Sequence, residues 1–342
     1  MARILVCSPQ VPFAHGGAEI LAGRLTEELR ERGHESDLVE IPFKWYPGSR
    51  VLDQAFLWRL VDVTEVEGRP VDLVIGTKFP SYAVRHPNKV VWLVHQFRQA
   101  YELDRTALGQ FGEDALDRAT RRAVQRFDAV ALGEARKLCA ISRNVAERVE
   151  RNLGLDAEVV LPPPQALDFR CDEYGDFVLS VNRLDRAKRI DLLLEALAAE
   201  PALTAVVAGE GPDRERLEQI AERHGLNGRV RFAGRVSEAE LADLYARCRA
   251  VYYAPVDEDY GMVPYEAFLS SKPVVTTTDA GGPLDVVSDR RTGLVIEPRA
   301  RELAEACRYL AEHADAAQAW GEAGKVVAEQ VTWDHVIDRL LG

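Results

Sequence analysis

Cysteine is scarce and scattered in this chain of 342 residues. The five, Cys7, Cys139, Cys171, Cys248 and Cys307, share no paired spacing. That argues against a disulfide framework or a thiolate metal site and fits reduced thiols in a cytoplasm. Positive charge is also in deficit: 43 Lys and Arg against 55 Asp and Glu leave a formal charge of −12. A surface of that sign disfavours nucleic acid and wholesale adhesion to an anionic membrane. No apolar run is long enough to span a bilayer, and no low-complexity tract interrupts the chain. Met1-Ala2-Arg3 leads straight into Ile4-Leu5-Val6, a start without the marks of a signal peptide. What is present is an apolar fraction of 47%, enough for a sizeable core, over a length that suggests two domains.

The apolar pattern is that of an α/β protein. Arg3 to Cys7 reads as a strand and Ser8 to Glu19 as a loop. The helix that follows, Ala18 to Arg32, has Ile20, Leu21, Leu25 and Leu29 on one face and Gly33 as its stop. With a second strand at Leu38–Ile41, this is a βαβ opening, which implies a parallel sheet and a right-handed crossover. Gly16 and Gly17, in the loop beyond the first strand, allow backbone to come close to a ligand. Buried strands are expected at Asp72–Gly76 and Lys89–Val94, the second running into His95, a histidine at a strand end. Lys44-Trp45-Tyr46 and Trp58-Arg59 form an aromatic and basic segment that suggests a packed helix with a solvated edge, with contact to an acceptor or a lipid surface as the alternative, and Leu103–Arg136 is helical in character. Strands at Lys137–Ile141 and Val159–Leu161 flank a helix, Asn144–Asn152, with Ser142 as N-cap. Pro162-Pro163-Pro164 can continue neither sheet nor helix and marks the domain boundary.

The second half repeats that grammar without repeating the sequence. Strands are expected at Phe177–Val181, Ala205–Ala208, Val230–Ala233, Ala250–Ala254, Pro273–Thr276 and Leu294–Ile296. The helices between them carry the faces Ile190, Leu193, Leu194 and Leu197, then Asp213–His224, then Ser237–Cys248. Two α/β domains with a cleft between them, closing on a ligand, is the expected architecture.

The stretch from Asp257 to Glu266 organises the rest. Glu258 and Glu266 enclose seven residues between a strand and a helix start, and ligands of open α/β sheets lie beyond the carboxyl ends of strands. The amides of Gly261, Met262 and Val263 at the helix start suit phosphate. The carboxylates suit hydroxyls, as on ribose or a hexose, so a nucleotide sugar is the expected ligand. Arg183, Arg186, Lys188 and Arg189 follow the first strand of the second half. Cations at a helix N-terminus oppose its dipole, which suggests an anionic ligand there. An arginine fork and a mobile lysine would hold a diphosphate and offset charge on a departing one.

In this order, Gly16-Gly17-Ala18-Glu19, Asn182-Arg183-Leu184 with Lys188, Ala208-Gly209-Glu210-Gly211-Pro212, Glu258 with seven residues to Glu266, Gly281-Gly282 and Thr332-Trp333-Asp334 resemble the retaining glycosyltransferases of family 4, of the two-Rossmann-domain (GT-B) type. The resemblance covers nearly the whole chain. It implies a Rossmann-like acceptor domain over 1–164, a donor domain over 165–322, and a last helix over 323–342 that crosses back to brace the first domain. It also implies roles. Arg183 and Lys188 hold the donor diphosphate. Glu266 binds the ribose hydroxyls, and Glu258 meets the donor sugar with Gly261, Met262 and Val263 alongside. Gly234, Arg235 and Val236 lie by the base, Gly209 lines the donor site, and Gly16 and Gly17 line the cleft floor. His95 reaches the donor sugar. The implied reaction moves a sugar from a nucleoside diphosphate to an acceptor hydroxyl with retained anomeric configuration. It needs no metal or other cofactor, and the leaving phosphate assists the acceptor. A glycan, lipid-linked or small-molecule acceptor is expected, in a cytoplasmic enzyme with peripheral membrane contact left open.

Two positions depart from the family pattern: Tyr260 stands where phenylalanine is common, and Asp285 where glutamate is. Other readings stay open at this stage. Asp257-Glu258-Asp259 resembles the acidic metal motif of another glycosyltransferase fold, but comes late in the chain. Gly209-x-Gly211 after a strand points to a dinucleotide oxidoreductase, but Arg214 stands where the third glycine belongs. A same-fold sugar-nucleotide epimerase and a non-catalytic sugar-nucleotide binder are the remaining alternatives.

Overall fold

The computed structural model describes residues 1–13, 16–104, 106, 109–165 and 167–342. The chain forms two compact units, one of Met1–Pro162 with Trp333–Gly342, the other of Pro163–Thr332. Among the described residues, no helix is long and apolar enough to cross a membrane.

The first unit is built on six parallel strands: β1 (Arg3–Gln10), β2 (Glu35–Pro42), β3 (Leu73–Gly76), β4 (Lys89–Leu93), β5 (Lys137–Ala140) and β6 (Glu158–Val159). Their order in the sheet is β2-β1-β3-β4-β5-β6, with every pairing parallel. Strands buried on both faces need continuous apolar runs. Leu73-Val74-Ile75 and Val90-Val91-Trp92-Leu93 supply them and are all buried. The order reverses between β1 and β3, which makes their carboxyl ends a switch point. Helix α1 (Gly17–Glu31) follows β1, and its buried face is Leu21, Leu25 and Leu29.

Three expectations are corrected here. The aromatic segment splits: Lys44 to Tyr46 is not helical, whereas α2 (Val51–Leu60) buries Trp58. The helix expected over Leu103–Arg136 is α3, confined to Ala115–Gly133. Gly109 and Gly112 lie before it, and Asp114 caps it by accepting from the Asp117 amide at 2.8 Å. Arg105, Ala107 and Leu108 of that expected span, and Ala14 and His15 of the first loop, lie outside the described residues. The strand expected at Val159–Leu161 pairs only over β6, because Pro162 ends it. After β5, α4 (Arg143–Leu153) starts on Ser142, whose hydroxyl accepts from the Val145 amide at 3.0 Å.

The second unit has its own six parallel strands: β7 (Phe177–Val181), β8 (Thr204–Ala208), β9 (Val230–Gly234), β10 (Ala250–Tyr252), β11 (Val274–Thr277) and β12 (Gly293–Ile296). The order is β9-β8-β7-β10-β11-β12, so the switch point lies between β7 and β10. Helices α5 (Ile190–Ala199), α6 (Arg214–Arg223), α7 (Glu238–Arg247), α8 (Val263–Leu269), α9 (Ala300–Glu312) and α10 (Ala314–Ala328) connect and cover the strands. Residues 323–332 stay with this unit. Helix α11 (Trp333–Leu341) belongs to the first, where the Trp333 ring meets Trp92 edge-on at 6.1 Å and Asp334 pairs with Arg32.

Candidate functional site

The carboxyl ends of β7 and β10 gather most of the singled-out residues of the second unit. Beyond β7 the chain turns through Asn182, Arg183 and Leu184, locked to the loop after β8. The Leu184 amide donates to the Glu210 carbonyl at 2.9 Å, and the Asp213 amide to the Leu184 carbonyl at 3.0 Å. This contact explains Gly209 and Gly211. A Cβ on Gly209, at φ +128°, would lie 1.8 Å from the Asn182 carbonyl oxygen, and one on Gly211 2.2 Å from that of Leu184. The side on which Gly209 lacks a Cβ is therefore turned to the β7 loop.

The cations beyond β7 are largely matched by carboxylates of the fold itself. Three of the four cations beyond β7 already have carboxylates. Lys188 pairs with Glu258, Arg189 with Asp279, and Arg186 stands 4.0 Å from Asp213. Opposition to the α5 dipole is compensated within the fold there, and the expectation of an anionic ligand rests on Arg183. That side chain is exposed and has no ion pair or side-chain hydrogen bond among the described residues.

Glu258 is held from both sides. Its amide donates to the Ala280 carbonyl at 2.8 Å, and its carbonyl accepts from Gly282 at 2.9 Å. Its carboxylate takes the Lys188 ammonium and the Tyr253 hydroxyl, the latter at 3.3 Å. The ammonium also lies 5.6 Å from the Tyr253 ring centroid. The two side chains of the pair are 19% and 20% exposed, so the pair sits at an accessible rim. Gly261, at φ +82°, has no space for a side chain, since a Cβ would meet the Tyr253 ring at 2.7 Å. The chain then enters α8, with Met262 at its start and Pro264 in its first turn.

Glu266, on the first turn of α8, is 8% exposed. One of its oxygens accepts from the Tyr245 hydroxyl at 2.7 Å. The other has no protein partner among the described residues. Burial raises its pKa above the ordinary carboxylate value, and the Tyr245 hydrogen bond only partly offsets this. Arg235 and Val236 follow β9, with Arg235 exposed. Among the described residues no group of three or more His, Cys, Asp and Glu is arranged to hold a metal ion.

Gly16, Gly17 and His95 lie in the first unit. His95, beyond β4, sets its Nδ1 2.7 Å from the Gln96 carbonyl, an acceptor, so that nitrogen is the donor of the pair. Gly16 precedes α1, and its amide donates to the Glu19 carboxylate at 3.0 Å. That carboxylate also pairs with Lys78, just beyond β3. Burial pushes the Glu19 pKa up, but Lys78 and the Gly16 amide outweigh it and leave it below the ordinary value.

Sequence reasoning missed Tyr245, Tyr253, Lys78 and Asp279 as members of these clusters. The two tyrosines read as core residues, Tyr253 from its apolar run and Tyr245 from the buried face of its helix. Lys78 carried a signal, since it stands two residues beyond a buried strand at the first switch point.

Residues 169–327 match the family described as glycosyl transferases group 1. The chain is 31% identical over 243 residues to the D-inositol 3-phosphate glycosyltransferase of Mycobacterium avium (strain 104), a match covering 67% of this chain and 55% of that protein. The chain thus spans about half the length of that curated relative. Its fold resembles sucrose-phosphate synthase from Thermosynechococcus elongatus, with a TM-score of 0.76 at 19% identity over 98% of this chain and 97% of the other. Anabaena Alr3699/HepE, solved in complex with UDP-glucose, gives 0.72 at 18% identity over 100% and 98%. These likenesses show the fold, the GT-B type with two Rossmann-like units.

Proposed function

Because residues 169–327 match the family described as glycosyl transferases group 1, we propose that this chain moves a sugar from a nucleoside diphosphate to an acceptor hydroxyl with retained anomeric configuration. One observation carries the reading: the Lys188–Glu258 pair lies at the β7/β10 switch point, and Arg183, on the loop it shares with Lys188, has no ion pair among the described residues. A diphosphate arriving there meets a guanidinium with no competing carboxylate and an ammonium that exchanges carboxylate for phosphate. Charge that develops on the departing diphosphate is then stabilised by both cations. Glu266 offers its second oxygen to the ribose hydroxyls, and Glu258, once Lys188 has moved to phosphate, takes hydroxyls of the donor sugar. The amides of Gly261, Met262 and Val263 lie between these two carboxylates, and Gly234, Arg235 and Val236 approach the base.

The likeness to a structure solved with UDP-glucose supports a nucleotide-sugar donor. Retention follows from the leaving phosphate assisting the acceptor hydroxyl on the face it departs from, so no dedicated general base is required. With two cations at the diphosphate no metal is required, and EDTA should leave turnover intact. The five free cysteines support a reducing, cytoplasmic compartment.

A thermal-shift screen against UDP-, GDP-, ADP- and dTDP-sugars tests the reading. A ligand at a hundred times its Kd adds about 2.7 kcal/mol. Arg183→Ala removes a charge-assisted hydrogen bond worth about 1.5–3 kcal/mol and should weaken diphosphate binding more than about tenfold. Product configuration is read by the anomeric proton coupling. The absence of any donor-induced shift, or an inverted product, would refute the corresponding part.

A further inference from the structure

We propose that Arg189, through Asp279, is a positioning residue that sets the geometry of the Lys188–Glu258 pair. The inference rests on the reading above and extends it to a residue that the reading leaves without a role.

Arg189 joins the β7 loop to α5 with φ 50° and ψ 42°, the left-handed region that a residue with a Cβ avoids and glycine enters freely. The observed outlier calls for a compensating contact. It has two. The Tyr252 hydroxyl donates to the Arg189 carbonyl at 2.8 Å. The guanidinium meets Asp279 fork to fork, at 2.8 Å through Nη1 and 2.5 Å through Nη2, and donates to the Thr277 hydroxyl at 3.3 Å. This bidentate pairing fixes direction as well as distance. The guanidinium beside Asp279 also holds that carboxyl below its ordinary range.

The left-handed turn makes Lys188 and Arg189 diverge. Lys188 reaches Glu258 in the loop after β10, and Arg189 reaches Asp279 in the loop after β11. Backbone bonds link the same three loops: Val256 to the Ala187 carbonyl at 2.8 Å, Asp257 to the Asp279 carbonyl at 2.9 Å, and Glu258 to the Ala280 carbonyl at 2.8 Å. In this set of links, the Arg189 fork is the side-chain contact that joins the outer two loops directly. Lys188 and Glu258 come from the first and middle loops, so slack between the outer two changes the position of both.

Arg189→Gly is the informative variant. Glycine suits the backbone angle, so folding is expected to persist while the fork is lost. Amide hydrogen exchange at Asp257, Glu258 and Gly282 should accelerate. Turnover should fall about tenfold, mainly in kcat, since the effect is on groups placed for the transition state. In a Lys188→Ala background, Arg189→Gly should add almost nothing, because residues that act through one another are not additive. Arg189→Lys should recover only part of the loss, having no fork. Asp279→Asn, which keeps the shape of the site, should reproduce both the exchange and the kinetic change should Arg189→Gly prove unstable. Unchanged exchange in both Arg189→Gly and Asp279→Asn would overturn the proposal, as would a full multiplicative loss in the Lys188→Ala background. Wild-type protein that turns over no nucleotide sugar would refute the proposed function, while the exchange measurement would still decide for or against the brace.

Discussion

The two switch points of this chain each set one lysine against one glutamate, in reversed roles. In the first unit the glutamate, Glu19, stands on the helix after β1 and the lysine, Lys78, follows β3. In the second the lysine, Lys188, follows β7 and the glutamate, Glu258, follows β10. The first pair is the more buried, at 9% and 16% side-chain exposure against 19% and 20%, and its carboxylate also closes the α1 N-terminus on the Gly16 amide. The second is joined by a tyrosine hydroxyl, and on the same loop as its lysine stands Arg183, which has no ion pair among the described residues. One topology thus places two similar ion pairs in equivalent positions. Their surroundings differ: the first pair closes a helix end, whereas under the proposed function the second exchanges partners with the donor diphosphate.

The largest expected effect separates the two by activity. Lys188→Ala should lower turnover about a hundredfold or more, the scale of one lost transition-state donor. Because the pair is partly exposed, stability should change by less than about 1 kcal/mol. Steady-state kinetics beside denaturant melts will show whether the two effects divide this way.

Next is the converse. Lys78→Met strands a mostly buried carboxylate at a helix start, and removing one partner of a fully buried pair costs about 3–5 kcal/mol. With some solvent access the loss should be about 2–3 kcal/mol, and Glu19→Gln added to Lys78→Met should recover much of it. If Lys78→Met leaves stability untouched, the two pairs are more alike than their surroundings suggest.

The smallest effect is one of sign with pH. Glu19 has a depressed folded pKa, so its contribution is in place above the unfolded value of about 4.3 and is lost as pH falls through the folded value. Glu266 has a raised one, so it lowers stability as pH rises from that unfolded value through the folded value. Relative to wild type, Glu19→Gln should lose its stability deficit on acidification. Glu266→Gln should gain on wild type as pH rises from about 4 to 7. Melting curves across that range test both slopes.

Most of the fold could be read along the chain, because buried parallel strands must be continuous apolar runs and the helices between them carry periodic faces. The misreadings were local. Glycines before Asp114 shortened a long helical stretch, and Pro162 cut a strand to two residues. The candidate cluster could be read where charged residues follow strands, as with Arg183, Lys188 and Glu258, or open the next helix, as with Glu266. It was not legible where a partner came from the buried face of another helix, as Tyr245 of α7 did for Glu266. The meaning of the cation cluster was only half visible, since sequence shows four charges but not the carboxylates folded against three of them.

The order of residues by itself determined two α/β units, their division near the triple proline and the loops that carry the charged side chains, since hydrophobic period and chain breakers act locally. Only tertiary structure decided which lysine met which glutamate, how deeply each pair was buried, and that Gly209 and Gly211 make room for a neighbouring loop. Those outcomes depend on strand order in the sheet, which brings together residues about 60 to 90 positions apart.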